Sequence, residues 1–257
     1  MKKNVIIDLK HISVKLGDNQ VLDDLSLYIR DREFITLLGP SGCGKTTILR
    51  VIAGFLEPDE GDVIFEDKKI NGVPPHKRQV NTIFQRYALF PHLNVYENIA
   101  FGMRLKGKKE DEIQKTVTEM LHMVNLNGMA HRGVGQLSGG QRQRIGIARA
   151  LAVNPDFVVC DEPVSALDVS IQAQVINMFD ELQEMLGLTY LFIAHDLSMV
   201  RLLCDRVGVM KDGKLVEIGE TEQVFEHPQH LYTKKLLEAI PIPEISGEEQ
   251  SDEETMA

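Results

Sequence analysis

No stretch of this 257-residue chain is apolar for the roughly 18 residues that a membrane-spanning helix needs. After Met1-Lys2-Lys3, only Val5-Ile6-Ile7 are apolar before Asp8, which is no core for a secretory signal. The expectation is a protein that stays in the cytosol and reaches a membrane only through another protein. Cysteine is scarce. Cys43, Cys160 and Cys204 form no C-x-x-C pair, which excludes a disulfide framework and a thiolate zinc site and predicts free, reduced thiols. There is no internal repeat. Lys and Arg are missing from Glu244 to Ala257, which holds six acids, and that stretch reads as a solvated, disordered tail. The formal charge is −10; outside the tail, 28 basic and 32 acidic residues leave −4, and no basic footprint for nucleic acid.

What is present reads as an ordinary globular protein: 43% hydrophobic residues, 26% charged, and enough length for one large domain or two small ones. The opening alternates apolar and polar residues through Leu16, turns at Gly17-Asp18-Asn19, and resumes at Val21 to Ile29, which predicts an antiparallel β-layer. Phe34–Leu38, Phe157–Cys160 and Tyr190–Ala194 are short, almost wholly apolar runs, as expected of strands buried on both faces. Val175, Phe179, Leu182 and Leu186 recur at helical spacing and predict one apolar helix face between Ser170 and Leu186. Buried strands alternating with helices indicate an α/β core around a parallel sheet. Val207–Met210, Asp212-Gly213 and Lys214–Ile218 predict a hairpin. Between about 91 and 152 no buried strand is legible. Asp111–Val124 and Gly139–Ala152 look helical, which predicts a helical subdomain inserted in a domain spanning 1–240. Pro241-Ile242-Pro243 marks the predicted end of folded structure, with 241–257 as the acidic tail.

Gly39-Pro40-Ser41-Gly42-Cys43-Gly44-Lys45-Thr46 fits G-x-x-x-x-G-K-[ST], and it follows a buried strand and opens a helical run beginning at Thr47. Glycines let the backbone curl so that its N–H groups face phosphate oxygens, and the helix N-terminus adds its positive end. Lys45 is predicted to reach the β- and γ-phosphates of ATP, and Thr46 to ligate Mg²⁺. Asp161 and Glu162 emerge at the C-terminal end of a buried strand, the end where α/β sheets bind ligands. Two acids after a strand are weak evidence alone; after a phosphate loop they fit a Mg²⁺-binding Asp161 and a water-polarising Glu162.

Leu137-Ser138-Gly139-Gly140-Gln141 is a second helix start suited to phosphate, ahead of an Arg-rich run with Arg142, Arg144 and Arg149. One domain has no use for two such sites on one triphosphate, but two domains facing head to tail do. This segment resembles the signature motif of the ABC ATPases, and the family's other motifs follow in register over about Val5 to Ala239. Gln85 resembles the Q-loop glutamine, which senses Mg²⁺ and the permease. Ser165-Ala166-Leu167-Asp168 resembles the D-loop. His195 resembles the switch histidine that contacts the γ-phosphate; taken alone it reads as an ordinary strand-end residue. The resemblance implies a P-loop ATPase fold, hydrolysis of ATP with Mg²⁺, and a dimer with a second copy or a paralogue. It also implies separate transmembrane permease subunits, with a solute-binding protein as an indirect partner, at the cytoplasmic face of the membrane. Leu16 stands where the family usually places an aromatic on adenine, which predicts weaker nucleotide binding.

The chain reads as a mosaic, natural or engineered. Up to about Asn127, notably Gln85 to Gly102, it resembles the ATPases of spermidine/putrescine importers. From about Gln136 onward, notably Ser165–Gln174, Leu188–Val200 and Tyr232–Pro241, it is similar to oligopeptide/dipeptide importer ATPases. It stops without the additional C-terminal β-domain usual in the polyamine type. The permease-facing segment, Gln85 to about Leu126, lies in the polyamine-like part, so the reading leans to polyamine uptake with peptide uptake as the alternative. A soluble non-transport ABC ATPase would carry two ATPase domains or a coiled-coil insertion, and neither is present.

Overall fold

The computed structural model describes residues 4–85, 87–194 and 196–239. The chain opens with β1 (Val5–Leu16) and β2 (Asn19–Arg30), then passes through β3 (Phe34–Leu38) into α1 (Lys45–Ala53). It returns through β4 (Glu60–Phe65) and β5 (Lys68–Lys69) to β6 (Val80–Ile83). Helices follow: α2 (Val95–Leu105), α3 (Glu110–Met123) and α4 (Gly139–Leu151). Next come β7 (Phe157–Asp161), α5 (Val169–Leu186), β8 (Thr189–Ile193) and α6 (Leu197–Leu203). The hairpin β9 (Arg206–Lys211) and β10 (Lys214–Glu220) leads into α7 (Thr221–Glu226) and α8 (Leu231–Glu238).

The strands form two sheets. The antiparallel one runs β2-β1-β4-β5; the other runs β10-β9-β3-β8-β7-β6 and is parallel except where β10 pairs with β9. The apolar runs read from sequence are its central strands. Each is dressed on both faces, because successive side chains point opposite ways. Ile35 and Leu37, Phe157 and Val159, and Leu191 and Ile193 join the core shared with α1 and the antiparallel sheet. Phe34 and Leu38, Val158 and Cys160, and Tyr190 and Phe192 face the second core, under α2 to α5. There Phe179 of α5 meets Tyr190 and Phe192 edge-on, with centroids at 5.5 and 5.4 Å, a favoured aromatic geometry that seats α5 on the sheet.

Local signals explain the helix starts. Asn94 caps α2 and Ser138 caps α4, each in a reciprocal box with Glu97 or Gln141; Asp168 caps α5 by accepting from Ile171 N at 3.0 Å. Gly187, at φ 64°, ends α5 in the left-handed conformation. One expectation on α5 needs correction. Val175, Phe179 and Leu182 are buried, but Leu186, in the last turn, is 39% exposed and borders a groove with Met103, Met120 and Leu151. β4 and β5, which extend the antiparallel layer, were not legible: Glu60, Asp62, Lys68 and Lys69 mask the short apolar pattern. Among the described residues no helix is long and apolar enough to cross a membrane.

Candidate nucleotide site

The loop between β3 and α1 is where the phosphate motif sits. Gly39 has φ 147°, and a Cβ there would run into the Met210 carbonyl of β9; Gly44, at φ 105°, starts α1 in a conformation L side chains rarely adopt. α1 has no side-chain cap and no acid in its first turn, so its positive end is left for an anion. Lys45 is buried, and its Nζ donates to Gly39 O at 2.7 Å and Pro40 O at 2.9 Å, which holds the ammonium across the loop. Cys43 Sγ lies 3.7 Å from the same nitrogen. Ser41 and Gly42 form the exposed rim, and Thr47 sits half-buried in the first turn of α1.

Two strands away, β7 delivers the acids to the same edge. Thr46 Oγ1 donates to Asp161 Oδ1 at 3.2 Å. Half-burial raises the Asp161 carboxyl above its ordinary range; the Thr46 hydrogen bond opposes the shift and the charge of Glu162 adds to it. Glu162 is at φ 45°, an uncommon conformation for a non-glycine residue and of the kind that gathers at functional sites. Its carbonyl accepts from Ser165 N at 3.2 Å and from Ser165 Oγ at 3.0 Å. Gln85, just beyond β6, donates from Nε2 to Glu162 Oε2 at 3.0 Å and to Ser165 Oγ at 3.1 Å. The structure therefore joins Lys45, Thr46, Asp161, Glu162 and Gln85 at one sheet edge. Ser165, known from sequence only as part of a motif, belongs to that cluster through its hydroxyl.

The other predicted residues stand elsewhere. Ser138 is exposed at the start of α4, its Oγ accepting from Gln141 N at 3.3 Å while Gln141 Oε1 accepts from Ser138 N at 3.0 Å. The nearest neighbours of Gly139 and Gly140 are Tyr87, Leu167 and Ile171 rather than the phosphate loop. The Asp168 carboxylate is engaged in capping α5. Leu16 is 50% exposed at the β1–β2 turn. His195 lies outside the described residues. Thr46 and Asp161 present hydroxyl and carboxylate oxygens side by side, the donor chemistry Mg²⁺ prefers, and a cation there would offset the burial that disfavours the Asp161 charge.

The family described as ABC transporter matches residues 22–165. The chain belongs to the ABC transporter family. It is an ATPase unit of that family, and its fold is the corresponding P-loop α/β fold. The spermidine/putrescine import ATP-binding protein PotA of Clostridium acetobutylicum is 46% identical over 237 residues, covering 92% of this chain and 67% of that protein. The protein of the same name from Nitratidesulfovibrio vulgaris is 46% identical over 241 residues, 94% of this chain and 66% of that one. The chain thus spans about two thirds of the length of these relatives. A second family, the oligopeptide/dipeptide transporter C-terminal region, matches residues 216–255, so both signals of the mosaic are present. Among solved structures, cbiO1 of Clostridium perfringens, part of the cbiONQ complex, superposes with TM-score 0.80 at 28% identity over 88% of this chain and 92% of that one. The dimeric ATP-binding cassette MJ0796, bound to ADP and Pi after hydrolysis, gives TM-score 0.76 at 31% identity over 84% and 99% of the two chains.

Proposed function

We propose that this ABC ATPase works as a dimer beneath a separate permease at the cytoplasmic face of the membrane and drives uptake of polyamines. The observation that carries the reading is the contact of the Gln85 amide with Glu162 and Ser165. It ties the Glu162 carboxylate, the candidate general base, to the loop leading into α2. In this reading the backbone amides from Gly39 to Thr47 and the Lys45 ammonium hold the phosphates of ATP. Thr46, Gln85 and Asp161 hold Mg²⁺, which when bound neutralises charge on the phosphate oxygens. The Glu162 carboxylate takes the proton of the attacking water, and Gln85 keeps that carboxylate aimed. Ser138, Gly139, Gly140 and Gln141, at the exposed start of α4, close over the nucleotide held by the second subunit, with Asp168 at the same boundary. His195 meets the γ-phosphate.

A groove supports the permease partner. Phe55, Phe84, Phe90 and Phe101, with Ala53 and Val153, line a cavity of about 370 Å³ between the end of α1, the end of β6 and α2. Phe55 is 56% exposed, and Phe84 and Phe101 38% each, an apolar patch suited to a short helix of another protein. Phe84 and Ala88, which flank Gln85 in sequence, line the groove, so a docked helix and the γ-phosphate would act on one loop. Polyamine uptake is favoured by the import proteins similar over more than nine tenths of this chain. Oligopeptide or dipeptide uptake is the second reading, favoured by the match over residues 216–255.

The test is co-expression with a polyamine-type permease pair and separately with a peptide-type pair, followed by pull-down and ATPase assay. Stimulation by the polyamine pair alone is expected; stimulation by the peptide pair alone would transfer the assignment. In either complex Glu162→Gln is expected to keep ATP binding and lose about 100-fold or more in kcat, the scale of a lost general base.

A further inference from the structure

Gln85 reports on Glu162, yet the rest of its loop is held by a different element. Tyr87 and Ala88 follow it in successive left-handed conformations, φ 52° and 47°, with no glycine to ease either. Both carbonyls are taken by one residue. Arg149, in the last turn of α4, donates from Nη1 to Ala88 O at 2.7 Å and from Nη2 to Tyr87 O at 3.4 Å. Its guanidinium also lies 5.6 Å from the centre of the Phe90 ring. Arg149 is partly buried, which lowers its pKa from the ordinary arginine range, and its hydrogen-bond partners are carbonyls of the loop.

The loop also touches the other end of α4. A Cβ added at Gly139 would lie 3.0 Å from the Tyr87 hydroxyl, and one at Gly146 would lie 3.3 Å from the Tyr87 carbonyl. Gly139 and Gly146 are seven residues apart and share a helix face. Tyr87 therefore runs along two turns of α4, from its glycine-led start to within a turn of Arg149. The helix that carries Ser138 is thus fastened, through Tyr87 and Arg149, to the loop that carries Gln85.

We infer that Arg149, acting through Tyr87 and Ala88, is a positioning residue that sets the start of α4 relative to Gln85. Resting on the dimeric ATPase reading above, this links the nucleotide on one subunit's phosphate loop to the competence of the Ser138 end that serves the second subunit. Arg149 touches neither nucleotide. Its loss acts on turnover rather than on binding.

The full chain is compared with Arg149→Gln, Arg149→Lys and Gly146→Ala for ATPase kinetics, mant-ATP affinity, melting temperature and hydrogen exchange. Arg149→Gln is expected to lower kcat about tenfold while nucleotide affinity moves less than about threefold, with Arg149→Lys, which still donates to carbonyls, recovering most of the rate. Exchange at the amides of 139–142 is expected to speed up about fivefold in Arg149→Gln, with β3 and β8 unchanged. Gly146→Ala is the control for misfolding. Alanine is the better helix former by about 1 kcal/mol, so its melting temperature should hold, yet it crowds the Tyr87 carbonyl and should lower kcat about threefold. Parent-like exchange at 139–142 in Arg149→Gln, or a fall in affinity equal to the fall in kcat, overturns the inference. If the parent and Lys45→Ala hydrolyse ATP equally poorly, it is the ATPase reading that fails, and the exchange comparison still decides the role of Arg149.

Discussion

At Asp161, half-burial raises the carboxyl above the ordinary aspartate range, against the hydrogen bond from Thr46 and with the charge of Glu162. A raised carboxylate pKa means that the folded chain binds the proton more tightly than the unfolded one. The unstrained protonated fold is fully present below the unfolded pKa, and stability is lost as pH rises through the folded value. Asp161→Asn keeps an oxygen for Thr46 and removes the charge. Without nucleotide its melting temperature should exceed the parent's at neutral pH, with the gap closing as pH falls toward the unfolded pKa, while Mg²⁺-dependent turnover is lost. An unchanged or lower melting temperature at neutral pH would refute this. Leu16 is the other residue that departs from expectation on chemistry alone. It is half exposed and has no ring, so Leu16→Tyr should tighten ATP by about 1–3 kcal/mol if the base rests there. A fluorescence titration with no change would place the base elsewhere. The phosphate loop and the acid pair were legible because their chemistry is local: a glycine pattern between a strand and a helix, and two acids where a strand ends. The reach of Gln85 to Ser165 was not legible, since nothing in either residue's neighbourhood in sequence points to the other.

Among the elements, α1 shows how a helix is fixed at both ends by different means. Its start is shaped by glycines, and its end is gripped by Arg78, whose side chain is almost wholly buried. Arg78 Nη1 donates to Val51 O and Ile52 O at 2.8 Å each, Nε donates to Val73 O at 2.8 Å, and Nη2 meets Glu57 at 3.3 Å. The Val51 and Ile52 carbonyls lie in the last turn of α1, where a helix runs out of i+4 donors; Val51 O also accepts from Gly54 N at 3.2 Å. Arg78→Ala would strip this donor from the Val51, Ile52 and Val73 carbonyls at a buried position. A loss of about 2–5 kcal/mol is expected, seen as a lower urea midpoint at unchanged m. A loss under about 1 kcal/mol would mean that water takes over the arginine's role. Periodicity announced α3, α4 and α5 to within a residue or two, because each buries a stripe at helical spacing. It overstated Leu186, since period alone does not say how far the packing over a helix face extends into the last turn. It failed for β4 and β5 too, where strand identity comes from pairing, β4 with β1 and β5 with β4, rather than from residue type.

Across the whole molecule, the two sheets meet at one end around a buried ion pair of the larger sheet, which reaches β2 of the antiparallel one. Glu33, just before β3, lies 3.3 Å from Arg206 of β9, with side chains 1% and 4% exposed. The Arg206 guanidinium also sits 4.5 Å from the centre of the Tyr28 ring on β2 and donates to Tyr28 O at 3.3 Å. Glu33 further accepts from Arg30 N at 2.7 Å. Glu33→Gln leaves the arginine charge buried without its partner and should cost about 3 kcal/mol in one cooperative transition; two separated transitions would mean that the layers unfold independently. By itself the sequence determined the class of fold, the phosphate loop, the acids and the family, because strand burial, helix period and glycine spacing are written in neighbouring residues. The tertiary structure alone decided the contacts that make a site of them. Gln85 meets Glu162 across 77 positions, and Arg149 meets Ala88 across 61. A hydrogen bond near 3 Å between such distant groups depends on how helices and sheet settle against one another. No local pattern encodes that packing.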